Sequence, residues 1–122
     1  GLKVITFGNA KWKNIGVINA EQLHAINLHL IINYHVDYSR EEVKAFLYKY
    51  RALFAAEPSA FSFQGYDIVK YLLGKLVPGE LPADEKMLQI EFRLKRLQPG
   101  AGYINWGMHH IIYNPDYTIT EL

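Results

Sequence analysis

Residues 28–73 read LHLIINYHVDYSREEVKAFLYKYRALFAAEPSAFSFQGYDIVKYLL, and this stretch decides the fold. In its first nine residues Leu28, Leu30, Ile32, Tyr34 and Val36 fall on one face, and His29, Ile31, Asn33 and His35 on the other. A period of two predicts a strand with one buried face. Ser39-Arg40-Glu41-Glu42 then reads as a capping box, with the Ser hydroxyl taking an orphan backbone N–H and Glu42 reaching back. Val43, Phe46, Leu47, Tyr50, Leu53 and Phe54 recur at helical spacing and predict one apolar helical stripe. The stripe is expected to pack on the apolar face of residues 28–36, the one partner of matching length. Pro58 stops this helix, because the residue before a proline is pushed out of the α region. Ser59 is placed to cap a second helix running to about Leu73, with Gly74 as its C′ residue.

Working outward, residues 3–7 are short and β-branched and end at Gly8-Asn9, a strand followed by a turn. Residues 10–16 read as irregular. Asn19 with Gln22 three positions on opens a short helix to about Ile26. Downstream, residues 74–86 are a loop by composition. Leu88, Ile90, Phe92 and Leu94 then alternate with Gln89, Glu91, Arg93 and Lys95, predicting a strand with one wet face. Residues 98–102 form a turn, residues 103–113 the returning strand, and residues 117–120 a short final β segment after Asn114-Pro115-Asp116. The order β-α-β-α-α followed by a β-hairpin reads as α/β or α+β, and α/β is the class expected. It is read as one domain, 1–122, with an α/β part (1–73), a loop (74–86) and a hairpin part (87–122).

The whole chain of 122 residues is 50% apolar and 20% charged, which excludes wholesale disorder. Thirteen Lys and Arg against twelve Asp and Glu give a net charge of +1, so there is no general electrostatic case for nucleic acid, and none is expected as a partner. With no cysteine, disulfides and thiolate chemistry are excluded. No apolar run approaches the ~20 residues of a membrane-spanning helix. A chain that starts at Gly1 rather than Met is expected of a processed product or an excised piece. Nine Tyr, six Phe and two Trp make an unusual aromatic load.

Chemistry-bearing patterns are sparse. His35 and Asp37 share a strand face, and His109 and His110 take opposite faces if extended, but no metal-ligand spacing is recognisable. Ser39 and Ser59 are accounted for as helix caps, and no Ser sits in a Gly-x-Ser-x-Gly elbow. The carboxylate pairs Glu41-Glu42 and Asp84-Glu85 lie at a helix start and in a loop. Gly8 and Gly16 are too far apart for a phosphate loop, and Gly74-Lys75 lacks a following hydroxyl. Arg93, Lys95 and Arg96 beside Tyr103 and Trp106 read as the solvated face of a hairpin rather than a stacking platform. The expectation is therefore no metal, no cofactor and no catalysis.

Residues 43–73 also carry a family resemblance. Phe46, Tyr50, Arg51 and Phe54, then Glu57-Pro58-Ser59, then Gly65-Tyr66-Asp67-Ile68, resemble the helix–Pro–helix segment of type I periplasmic substrate-binding proteins, the Leu/Ile/Val-binding receptors of ABC transporters. The flanking elements agree in order, and the resemblance is to the C-terminal portion only. It implies a periplasmic-binding-protein type I, Rossmann-like fold and a non-catalytic solute-recognition module of the periplasm or cell envelope. The implied partners are a small solute such as an amino acid and, in the parent protein, a membrane transporter. A homodimer is expected where the missing portion leaves apolar surface bare. The alternative is a structural or interaction domain of the cell envelope that kept the fold and lost the solute. The loop after the first strand resembles the family's crevice-facing loop, which makes Asn9, Lys11 and Trp12 the candidate ligand-binding residues. Trp12 equally reads as ordinary packing. Within Gly65-Tyr66-Asp67, glycine is expected to serve close helix approach, and Tyr66 and Asp67 polar tethering.

Overall fold

Leu28, Leu30 and Ile32 are buried while Ile31 between them is exposed, so the alternation holds for five residues and then breaks. The computed structural model describes residues 1–122. In chain order its elements are β1 (Thr6–Gly8), a 3-10 turn (Ala10–Asn14), α1 (Ala20–Ala25), β2 (Leu28–Ile32), α2 (Glu41–Phe54), α3 (Ala60–Leu76), β3 (Glu85–Lys86), β4 (Glu91–Phe92), β5 (Leu94–Arg96), β6 (Tyr103–Asn105), β7 (His109–Tyr113) and β8 (Ile119–Glu121). The class is mixed α and β. The elements group into two compact units, Gly1–Asn33 with Met108–Leu122, and Tyr34–Gly107.

The first unit is a four-stranded sheet in the order β1-β2-β7-β8, with β1 parallel to β2 and the remaining pairs antiparallel. The chain's own pattern builds it: Leu28, Leu30 and Ile32 of β2 and Ile111 and Tyr113 of β7 point to one side and pack with Leu23 of α1. The capping box expected at Asn19 is present, with Asn19 accepting from the Gln22 N–H and Gln22 accepting from the Asn19 N–H. His24 is buried, and its Nδ1 lies 2.7 Å from the Asn114 carbonyl oxygen. His109 and His110 do take opposite faces. His109 is buried against Glu121, with 2.7 Å between Nδ1 and Oε1, and the Nε2 of His110 is 2.9 Å from the Nδ1 of His29.

The second unit is organised by one carboxylate. Asp67 is fully buried on α3 and accepts hydrogen bonds from the backbone N–H groups of Leu88 (3.0 Å), Gln89 (2.7 Å) and Ile90 (2.9 Å). Three consecutive N–H groups turned towards one anion form a nest and cannot join a ladder at the same time. This corrects the strand expected over residues 88–95. Met87, Leu88, Gln89 and Ile90 are all buried without alternation, and regular pairing starts only at β4 and β5. Leu88 joins Val43 and Phe63 in one cluster, and Met87, Ile90 and Phe92 join Tyr71 in another. Tyr71 and Phe92 stack at 3.9 Å between centroids. The tether expected of Asp67 is thus present. Gly65 does not serve close approach within the chain, since a Cβ there would meet nothing within 4 Å.

Several further expectations are corrected. The stripe on α2 packs against Phe63 of α3 and Leu88 rather than along residues 28–36. Of that stretch Val36 joins the cluster, whereas Leu28, Leu30 and Ile32 belong to the other unit's core. The stripe is also shallow, for Leu53 and Phe54 at its end are exposed. The helix capped by Ser59 runs past Gly74 to Leu76. The expected returning strand over residues 103–113 is interrupted between β6 and β7.

Ser39 does not cap α2. Arg40 occupies the cap position without a side-chain bond, because Asp37 captures Ser39 first. The Asp37 carboxylate accepts from the Ser39 backbone N–H at 2.9 Å and from its hydroxyl at 2.6 Å. These two bonds hold the Asp37 carboxyl below its ordinary value of 3.8. A depressed acid contributes stability that is present above the unfolded value and is lost as pH falls through the folded one. Urea titrations of wild type and Asp37→Asn should therefore run parallel above about pH 5 and diverge below about pH 4, with wild type losing more. Identical acid limbs would contradict this role for Asp37.

Candidate functional site

The carboxyl end of β1 carries the three residues singled out from the sequence. Strand β1 ends at Gly8, and Asn9 caps the 3-10 turn, its Oδ1 accepting from the Lys11 N–H at 3.0 Å. The Trp12 N–H returns to the Asn9 carbonyl at 3.1 Å, which closes the turn. The Trp12 indole lies directly on Gly8, where a Cβ would come within 2.8 Å of Cδ1, so only glycine fits. Its other side packs on the core of Leu23, Leu28, Leu30, Ile32, Ile111 and Tyr113, leaving the ring half-buried. Asn9 and Lys11 are exposed. The segment sequence alone reads as irregular is therefore a defined turn that places the Asn9 amide, the Lys11 ammonium and the Trp12 indole within four consecutive residues. An amide, an ammonium and an aromatic ring are the group types that suit a small anionic solute with an apolar part. The turn follows the carboxyl end of β1, an edge strand that pairs in parallel with β2.

A concavity lies within the Tyr34–Gly107 unit, between α2 and α3. It encloses about 460 Å³ and is lined by Phe46, Tyr50, Phe54 and Tyr66, with Lys49 and Lys70 among its polar groups. Phe46 sits 4.8 Å from Tyr66 and 5.7 Å from Tyr50 between centroids, and Tyr50 sits 4.7 Å from Phe54. The Tyr50 hydroxyl accepts from Ser62 at 3.1 Å, and the Lys70 ammonium lies 5.4 Å from the Tyr66 ring centroid. The sequence assigned these aromatics to a core stripe. The signal that separates them is length: α2 carries its stripe on to Leu53 and Phe54, beyond the reach of Phe63 and Leu88.

The remaining candidates are placed as follows. The Asp37 carboxylate is engaged by Ser39, and the Ser59 hydroxyl accepts from the Ser62 N–H in the expected cap. In the hairpin of β5 and β6, Arg93 pairs with Glu91 and the Arg96 guanidinium stacks over the Tyr103 ring at 4.5 Å. Comparison with protein-family models, with curated proteins and with solved structures finds no match to the chain.

Proposed function

We propose that the chain is a non-catalytic solute-recognition module of a periplasmic or cell-envelope receptor, similar to the C-terminal portion of type I substrate-binding proteins. The solute is of amino-acid type, and in the parent protein the module serves a membrane transporter. The observation that carries this reading is the turn after β1, which carries exposed Asn9 and Lys11 and half-exposed Trp12 within four residues. In this reading the solute carboxylate meets Lys11 and Asn9, and its side chain lies on the indole.

A thermal-shift screen of amino acids at high millimolar concentration tests it. A ligand that binds only the folded state raises the midpoint by mass action. At least one amino acid is expected to raise the melting temperature, and Lys11→Gln with Asn9→Ser, which keeps a capping oxygen, is expected to remove the rise while leaving the unliganded midpoint near wild type. No shift with any amino acid, or a shift that the double variant retains, contradicts the reading.

A second reading, an interaction domain of the cell envelope without a solute, is favoured by one feature, the bare apolar side of α3.

A further inference from the structure

Helix α3 carries a second apolar face besides the one it buries. Phe63, Asp67 and Tyr71 face inward and are buried. On the opposite side Phe61, Ile68, Val69, Leu72, Leu73 and Leu76 are between 37% and 79% exposed. An exposed apolar stripe along a helix marks an interaction surface. No ionisable side chain interrupts the stripe.

Gly65 is the second, independent observation. It lies in the middle of the outward stripe, four residues after Phe61 and seven before Leu72. Glycine inside a helix is unfavourable relative to alanine, and here a Cβ would meet nothing within 4 Å. Nothing within the chain fills the space that Gly65 leaves, so the backbone there is open to close approach by a partner's side chain.

We propose that this face pairs with the same face of a second copy of the chain, the two α3 helices lying antiparallel about a two-fold axis between Ile68 and Val69. The sequence is self-complementary about that point. Gly65 and Leu72 are equidistant from it, as are Phe61 and Leu76. Leu72 of one copy is then seated over Gly65 of the other, and the contact is isologous and closes at two subunits. Complete cover of the six exposed side chains on both copies removes at most roughly 1,200 Å² of apolar surface from water, at the lower end of the ~1,200–2,000 Å² of stable interfaces. The pairing is independent of the solute reading, so a monomer that binds amino acids overturns the pairing alone.

Sedimentation velocity from about 1 to 100 μM tests it. Wild type is expected to shift from monomer to dimer over this range. Leu72→Lys and, separately, Gly65→Gln are expected to weaken the dimer at least tenfold, while the circular dichroism of dilute samples stays that of wild type. Gly65→Gln carries the decision if Leu72→Lys loses helix, since its side chain enters open space in the single copy. A monomer at every concentration gives the face to another occupant and overturns the proposal. So does a dimer that Gly65→Gln leaves intact.

Discussion

Asp67→Ala is expected to unfold the unit built from Tyr34–Gly107. The substitution leaves the N–H groups of Leu88, Gln89 and Ile90 without acceptors in the interior, where Asp67 itself is fully buried. Each orphaned buried donor costs about 1–3 kcal/mol, so the loss is about 4 kcal/mol or more even without full additivity. That is comparable to the ~5–15 kcal/mol by which a whole domain is stable. Asp67→Asn keeps the volume and one oxygen, but turns an NH2 towards one of the three N–H groups, and about 2 kcal/mol is expected to go. Urea unfolding followed by circular dichroism gives both values. Hydrogen exchange at Leu88, Gln89 and Ile90 should accelerate first in the Asn variant. A loss below about 1 kcal/mol for Asp67→Ala would show that these N–H groups have another acceptor.

The second large effect is expected at Gly107. A Cβ there would overlap the carbonyl of Glu91. The approach is fixed from both sides by Asn105, whose Oδ1 accepts from the Arg93 N–H at 2.8 Å and the Gly107 N–H at 3.0 Å, while its Nδ2 donates to the Glu91 carbonyl at 3.0 Å. The Trp106 N–H adds a bond to the Arg93 carbonyl at 3.0 Å. Because the obstacle is backbone rather than a flexible side-chain tip, the strands must part, and Gly107→Ala should cost about 3 kcal/mol or more. Asn105→Ala, which removes the clamp without the overlap, should cost about 1–2 kcal/mol. Thermal unfolding of the two variants should preserve that order; a Gly107→Ala protein as stable as wild type would contradict it.

How much of this was legible in the sequence depends on how local each cause is. The starts of α1 and α3 were readable because their capping partners lie three residues away, Asn19 with Gln22 and Ser59 with Ser62. The start of α2 was misread because Asp37, equally local, competes for Ser39. The alternation of β2 is real where β1 and β7 flank it, at residues 28–32, and ends with its partners. Residues 88–95 alternate just as well in sequence, yet a carboxylate 21 residues upstream of Leu88 takes their N–H groups. No window that short contains the reason. The same holds at the candidate site. The position of Asn9, Lys11 and Trp12 after a strand was legible from the Gly8-Asn9 turn, but the half-burial of Trp12 depends on Gly8 beneath it and on the core that β2 and β7 supply. The aromatic cleft between α2 and α3 was read as core because periodicity reports which side chains share a face, not whether a partner is long enough to cover them.

The account stands most directly on where a solute touches the chain. Amide chemical-shift mapping of 15N-labelled protein during titration with the amino acid that gives the largest thermal shift locates that contact residue by residue. The account predicts saturable shifts centred on Asn9, Lys11 and Trp12, with the Trp12 indole N–H among the most displaced. Shifts confined to the cleft lined by Phe46, Tyr50 and Tyr66, or no saturable shift at all, would contradict it.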